Sequence, residues 1–470
     1  MALADTLAAY FDFQEYDTDL RTEIVAGVTT FLTMSYIVVV NPDIMTAIPG
    51  ENGKPGVAIP GYTPGEVQQM LAVVTIISAA VAIFVMAFYA NRPFAQAPGL
   101  GLNAFFAFTV VGAMGIPWQT ALAAVVTEGV IFIILTAIGA REYIIKLFPE
   151  PVKFSVGTGI GLFLAIIGFQ HMGVVVNDPA TMITLGNVAS DPVAIVSVLG
   201  LFFTFALYAR GVPGSIIIGI IATSLVGWGL TFGGVTAPGT LVPTSLPAAQ
   251  YNIAPLAGAF LTGFQNIQGL SFALIVFTFF FVDFFDTAGT LTGVSQIAGF
   301  LDEEGNLPEI DKPLMADAIG TTVGGMLGTS TVTTYIESAT GVEEGGRTGM
   351  TALVVGILFL LALIVVPLAA AVPMYASHIA LVVVGIIMLT NVTDIDWDST
   401  DHAIPAGLTI LVMPFTYSIA YGIAAGIISY PIVTAARGDW RGISPGQWLL
   451  ALAFVIYFFV RTSGILTAAV

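Results

Sequence analysis

The sequence predicts an all-α polytopic membrane protein with 14 transmembrane segments, and three observations carry that prediction. Of its 470 residues, 57% are hydrophobic and only 9% are charged, against about 25% charged in a soluble domain. Predominantly apolar stretches near the roughly 20 residues that a span needs recur from residues 24–40 and 70–90 onward to the C-terminus. The few Lys and Arg residues fall in connections that alternate regularly with those stretches.

Residues 1–20 are acidic, contain Phe11, Phe13 and Tyr16, and have neither a basic start nor a cleavage site. They read as a cytoplasmic N-terminus rather than a signal peptide, with a prokaryotic plasma membrane as the simplest location. Seven apolar segments follow near 24–41, 70–90, 97–115, 119–140, 155–171, 192–209 and 213–231. After a Pro-rich connection come seven more, near 268–297, 313–328, 331–345, 349–367, 375–391, 403–416 and 417–436. Cytoplasmic loops collect Lys and Arg. With the N-terminus inside, Arg21, Arg92, Arg141, Lys146, Lys153, Arg210, Lys312, Arg347, Arg437 and Arg441 all fall inside, and Lys54 falls outside. A missed span would invert every later loop. Arg461 follows a further apolar stretch, 448–460, whose length leaves it open whether that stretch spans.

Two related halves of seven segments each have opposite orientations, a common transporter plan. Ser215-Ile216-x-x-Gly219-Ile220-x-Ala222 in segment 7 repeats as Ser418-Ile419-x-x-Gly422-Ile423-x-Ala425 in segment 14. Segments 3 and 10 correspond in a different way: both are poor membrane helices. Pro98, Gly99 and Gly101 break the first, and Thr331 to Thr334 open the second with residues that prefer extended backbone. Irregular backbone at membrane depth survives only when buried in protein or lining a cavity. Interrupted segments in matching places of two halves point to a substrate site.

An ionisable side chain within the bilayer costs about 2.5 to 3.5 kcal/mol on insertion scales and needs an explanation. Asp283 and Asp286 lie three residues apart in segment 8, on one helical face, with no cation adjacent in sequence. Glu337 follows the extended run of segment 10, and Asn103 stands at the matching place in segment 3. Carboxylates there can hold a proton when desolvated and can accept from ring N–H groups, while Asn both donates and accepts. Plainer roles stay open. Asp283 and Glu337 can cap broken helices, Asn103 can satisfy backbone freed by the glycines, and Asp286, Glu128 and Asp317 can be structural. His171, His378 and His402 near segment ends are expected to be wet and structural.

Four ordered stretches resemble the AzgA-like hypoxanthine, adenine and guanine permeases of the nucleobase-ascorbate transporter superfamily. They are residues 21–34, Ala97-Pro98-Gly99-Leu100-Gly101-Leu102-Asn103-Ala104, Asp283-Phe284-Phe285-Asp286-Thr287 and Glu337-Ser338-Ala339-Thr340-Gly341. The resemblance implies a core domain, 21–153 (segments 1–4) with 267–367 (segments 8–11), and a gate domain, 154–232 (segments 5–7) with 368–436 (segments 12–14). Residues 233–266 become an extracellular connection and 437–470 a C-terminal hydrophobic extension. It further implies short antiparallel strands in segments 3 and 10, and a site between core and gate. There Asp283, Glu337 and Asn103 would bind the purine, with Gly101 and Asp286 shaping the site. Protons, rather than sodium, would be coupled through Asp283 and Glu337 as the core moves against the gate. A homodimer through the gate is also implied. Ser338 stands where the wider superfamily often has Asn or Gln, which favours the purine branch.

Other readings are a same-fold sulfate or bicarbonate transporter, which should avoid site carboxylates, and a non-transporting channel or receptor-like protein. The net charge of −18 argues against nucleic acid as a partner, and an acidic exterior suits a high-salt habitat. With no Cys, thiolate metal sites are not available, and no phosphate loop, zinc-type His and Glu pair or serine elbow gives enzyme chemistry or a cofactor a foothold.

Overall fold

A helix stands at almost every place where the sequence carries an apolar segment, and several begin or break where the local residues require it. The computed structural model describes residues 3–48, 53–140, 148–265, 267, 269–302 and 307–463; Arg141 and Lys146 lie outside them. Among the described residues, ten helices are long and apolar enough to cross a membrane. Leu199, Phe202, Leu225 and Ile364 on such segments are each more than 60% exposed, a surface suited to lipid rather than water. The chain is a multi-pass membrane protein.

Segment 1 is not one helix. Leu20–Met34 and Ile37–Met45 are separated at Ser35 and Tyr36, and Pro42 lies inside the second piece. Asp19 starts the first by accepting from the Thr22 amide at 2.9 Å, a bond that holds its exposed carboxyl below its ordinary range. Segment 2, Pro64–Val85, starts on a capping box from Thr63 and Glu66. Segments 4, 5, 6 and 7 are Trp118–Ala137, Glu150–His171, Pro192–Ala209 and Ser215–Phe232. In the second half stand Gly269–Ala298, Asp311–Leu327, Thr400–Thr416 and Ile419–Ala436. Segment 11 runs as Gly349–Ala362 and then tightens into a 3-10 turn over Leu363–Ala371, which carries Pro367.

Segments 3 and 10 depart from helix, as their residues require. Gln96–Pro98 pairs antiparallel with Val332–Thr334, matching Gln96 to Thr334, Ala97 to Thr333 and Pro98 to Val332. Short helices Leu100–Ala104 and Ser338–Glu343 follow the two strands.

Three features escape the periodicity of the sequence. The N-terminal stretch is partly ordered as the helix Leu3–Tyr10, with Phe11 and Phe13 buried against Met350 of segment 11. A hairpin, Val175–Asp178 with Met182–Leu185, joins segments 5 and 6. The C-terminal stretch is an 18-residue helix, Pro445–Thr462, longer than the apolar run alone. Its Phe454 sits 5.1 and 5.4 Å from the rings of Phe277 and Phe281 in segment 8.

Glu23 joins the two halves. It is fully buried, and its carboxylate accepts from the amides of Arg347 at 3.0 Å and Thr351 at 3.1 Å and from the Thr351 hydroxyl at 2.6 Å. A carboxylate at the N-terminus of a helix satisfies orphan donors and complements the dipole. Glu23→Ala strands these donors inside the protein and is expected to cost about 3 kcal/mol. A thermal melt of detergent-purified protein should show a clearly lowered midpoint, whereas Glu23→Gln should retain part of the loss.

Candidate functional site

The two strands meet in the protein interior, where every backbone group must find a partner. The ladder extends at both ends, with the Gly99 amide donating to the Thr331 carbonyl at 3.0 Å and the Tyr335 amide to the Ala95 carbonyl at 2.9 Å. Side chains complete it. The Tyr335 hydroxyl donates to the Pro98 carbonyl at 2.5 Å, Thr321 donates to the Val332 carbonyl at 2.8 Å, and Ser338 accepts from the Ala95 amide at 3.0 Å. Thr331 donates to Glu128 at 3.2 Å, which gives Glu128 a structural hydrogen bond. Gly99 permits the close approach: a side chain there would come within 2.8 Å of Thr333 and 3.4 Å of an Asp286 carboxylate oxygen.

Segment 8 lays its acids beside this crossing. Asp283 is fully buried, and the hydroxyl of Thr287, one turn on, donates to its Oδ1 at 3.1 Å. The same hydroxyl lies 3.2 Å from both oxygens of Asp317 and 2.8 Å from the Thr333 hydroxyl. Thr287 thus ties Asp283, segment 9 and the second strand together. Asp286 is only partly buried and lies within electrostatic reach of Asp317 and Glu337. Glu337 is also partly exposed, and the buried Tyr36, at the break in segment 1, donates to its Oε1 at 2.6 Å. Beyond Asp286 the helix borders open space: a side chain at Gly289 would meet nothing within 4 Å.

The structure therefore gathers Asp283, Asp286 and Glu337 around the strand crossing. Asn103 sits in a neighbouring amide cluster, donating to Asn41 at 3.0 Å, while Asn41 donates to Thr75 at 2.7 Å and Thr329 at 3.0 Å. Among the described residues the buried Asn103 Oδ1 has no hydrogen-bond partner, uncommon for a buried acceptor. Gly101 lies against segments 5 and 14: a side chain there would come within 2.9 Å of Ile160 and 3.6 Å of Ile419.

Sequence reasoning missed Tyr36, Thr287, Thr333 and Asn41, and it treated Asp317 as structural. Thr287 had a legible signal, its place one helical turn from Asp283. Tyr36 had none, since its contact spans 301 residues.

Comparisons with known proteins bear on this arrangement. The family model described as "Permease family" matches residues 21–425. The chain is 39% identical to the adenine permease AdeP of Escherichia coli, covering 96% of this chain and 95% of that protein. It is 40% identical to the guanine/hypoxanthine permease PbuO of Bacillus subtilis, over 96% and 99% respectively. Among solved structures, the transmembrane domain of the cyanobacterial bicarbonate transporter BicA superposes with a TM-score of 0.60 at 15% identity, covering 87% of this chain and 97% of that one. At that identity the likeness concerns the fold alone.

Proposed function

The chain belongs to this permease family, and from that membership we propose that it imports purine nucleobases together with protons by alternating access. A permease moves its solute unchanged, so the chain is not an enzyme. The purine assignment draws on the adenine permease and the guanine/hypoxanthine permease it resembles along their whole lengths. The observation that carries it is the partly exposed Glu337, held by the Tyr36 hydroxyl beside the strand crossing, and the Asn103 Oδ1 adds an acceptor that has no partner among the described residues. Acceptors of this kind suit the N–H edges of a heterocycle. They do not suit an anion, and the bicarbonate transporter of similar fold does not outweigh them.

The shared hydroxyl of Thr287 supports proton coupling. One hydroxyl carries one hydrogen, yet this oxygen lies within 3.2 Å of the carboxylates of both Asp283 and Asp317. A proton on Asp283 completes the set, and Glu337 would exchange a second with the purine. Asp286 lines the open side.

The segments are read as two inverted sets of seven. Support comes from the paired strands of segments 3 and 10 and from the repeated motif of segments 7 and 14. Each motif is preceded by a left-handed residue, Gly214 at φ 72° and Tyr417 at φ 54°, and each glycine abuts the helix before it, Gly219 at Thr204 and Gly422 at Thr409 and Met413. Segments 1–4 and 8–11 then form the core and segments 5–7 and 12–14 the gate, with Gly101 at their boundary. The N-terminus is read as cytoplasmic, a reading that the distribution of Lys and Arg among the loops supports, and the membrane as a plasma membrane.

Equilibrium binding to the purified protein tests the cargo. Hypoxanthine, adenine or guanine should compete for one site with micromolar to submicromolar affinity, and sulfate and bicarbonate in large excess should not displace them. Displacement by bicarbonate would transfer the assignment to an anion.

A further inference from the structure

Away from the acids of segment 8, a second ionisable cluster joins segments 1, 5 and 12. Asp43, near the end of Ile37–Met45, and His378, between Met374–Ser377 and Ile379–Met388, are both buried. His378 Nδ1 lies 3.1 Å from Asp43 Oδ2, and the Ser377 hydroxyl donates to the same carboxylate oxygen. Lys54, in the connection after segment 1, is buried and donates to the Asp43 and Ile44 carbonyls. His378 is not the wet structural group expected of it, whereas His171 and His402 are only partly buried. His378 is fully buried, and its ring lies 4.3 Å from that of His171, inclined at 52°. His171 in turn lies beside Phe108 of segment 3, at 6.0 Å between rings.

We propose that Asp43 and His378 form a proton-binding latch that closes the permease at the face where segment 1 ends and segment 12 begins. With segment 1 in the core and segments 5 and 12 in the gate, the contact bridges the two bodies that must part for access from that side. The chemistry assigns the proton its atom. Nδ1 faces two acceptors, Asp43 and the Met374 carbonyl at 2.9 Å, so it carries a hydrogen in the neutral ring. The other nitrogen, Nε2, is buried without a hydrogen-bond partner and is the place left for a second proton. Adding it turns a hydrogen bond from a neutral donor to the Asp43 carboxylate into a hydrogen-bonded ion pair. The ion pair is the tighter contact, so acid favours the closed latch and alkali releases it.

Access is provided by a cavity of about 390 Å³ lined by Asp43, Glu66, Pro373 and Met374, among others. The other ionisable groups facing the pair are Lys54, His171 and Glu66. Segment helices Pro192–Ala209 and Ser215–Phe232 bring no charged residue or histidine, and Asp191 is engaged in capping the Val193 amide at 2.9 Å. Burial holds the Lys54 ammonium down to about 8, with Asp43 drawing it upward. Lys54 therefore stays charged where imidazoles ordinarily titrate, near about 6.5. With the proposed orientation this face is external, and a proton arriving from outside closes the door behind an imported solute. The term latch rests on the core and gate reading; the test does not depend on the cargo.

The chain has no Cys, so one introduced by Phe108→Cys behind the latch reports opening through its labelling rate with an impermeant maleimide in proteoliposomes. A second reporter, Met182→Cys, on an exposed hairpin residue, normalises for the pH dependence of the thiol. Normalised labelling of the parent should fall severalfold between pH 8 and pH 6. His378→Gln and Asp43→Asn should raise labelling at pH 6 about tenfold and flatten its pH dependence. Ser377→Ala, which removes a single hydroxyl, should give an intermediate rise and serves where either of the others does not elute as a monodisperse peak. Unchanged rate and unchanged pH dependence in any monodisperse variant would overturn the latch.

Discussion

Glu337→Gln should lower purine affinity and uptake by roughly 30- to 150-fold while leaving the amount of membrane-inserted protein unchanged. The exchange keeps size and removes the charge. A hydrogen bond to a charged acceptor contributes about 2 to 3 kcal/mol more than its loss leaves behind, and that energy corresponds to the stated range. Expression should survive because Glu337 is partly exposed and its described side-chain partner is Tyr36, which a glutamine oxygen can still engage. Saturation binding and initial uptake rates, measured on the same preparation, separate lost affinity from lost turnover. Wild-type uptake by this variant would remove Glu337 from the site.

Asp283→Asn is expected to act differently, abolishing accumulation against a gradient, by about 100-fold or more, while purine binding persists at reduced affinity. Asp283 is fully buried and shares the Thr287 hydroxyl with Asp317. An amide at that position cannot gain or lose the proton, so the coupled step fails even where the binding surface is retained. Counterflow, which exchanges labelled for unlabelled purine without a driving force, should therefore be spared more than gradient-driven uptake. Equal loss of both would make Asp283 a binding or structural group rather than a coupling one. Because Asp283 is bound to Thr287, whose hydroxyl ties segment 8 to segment 9 and the strand at Thr333, a melting curve must accompany the assay.

Much of this architecture is written in local sequence, and the exceptions have physical causes. The broken character of segments 3 and 10 was legible because Pro98, Gly99 and the Thr331 to Thr334 run each defeat a helix by themselves, and the observed strand pair lies there. The break in segment 1 was not, since Ser35 and Tyr36 are ordinary helix residues and the interruption reflects Tyr36 reaching Glu337 in the other half. The acids of segment 8 stood out because charge in an apolar run is costly. Their partners did not, because Thr287, Thr333 and Asp317 meet only after the strands have paired. His378 misled for a related reason: a histidine near a segment end looks solvent-facing until Asp43, Lys54 and His171 converge on it from three other parts of the chain. Length left the C-terminal run open, and a capping box from Ser444 and Gln447 starts its helix before the apolar stretch.

Uptake of radiolabelled hypoxanthine into proteoliposomes of the purified protein, with and without an acid-outside pH gradient, tests the central claim most directly. The account predicts accumulation above equilibrium only when the gradient is present, abolished by a protonophore, indifferent to sodium, and competed by adenine or guanine. Folded, correctly inserted protein that concentrates none of these three purines, or that concentrates one equally well without any proton gradient, would contradict it.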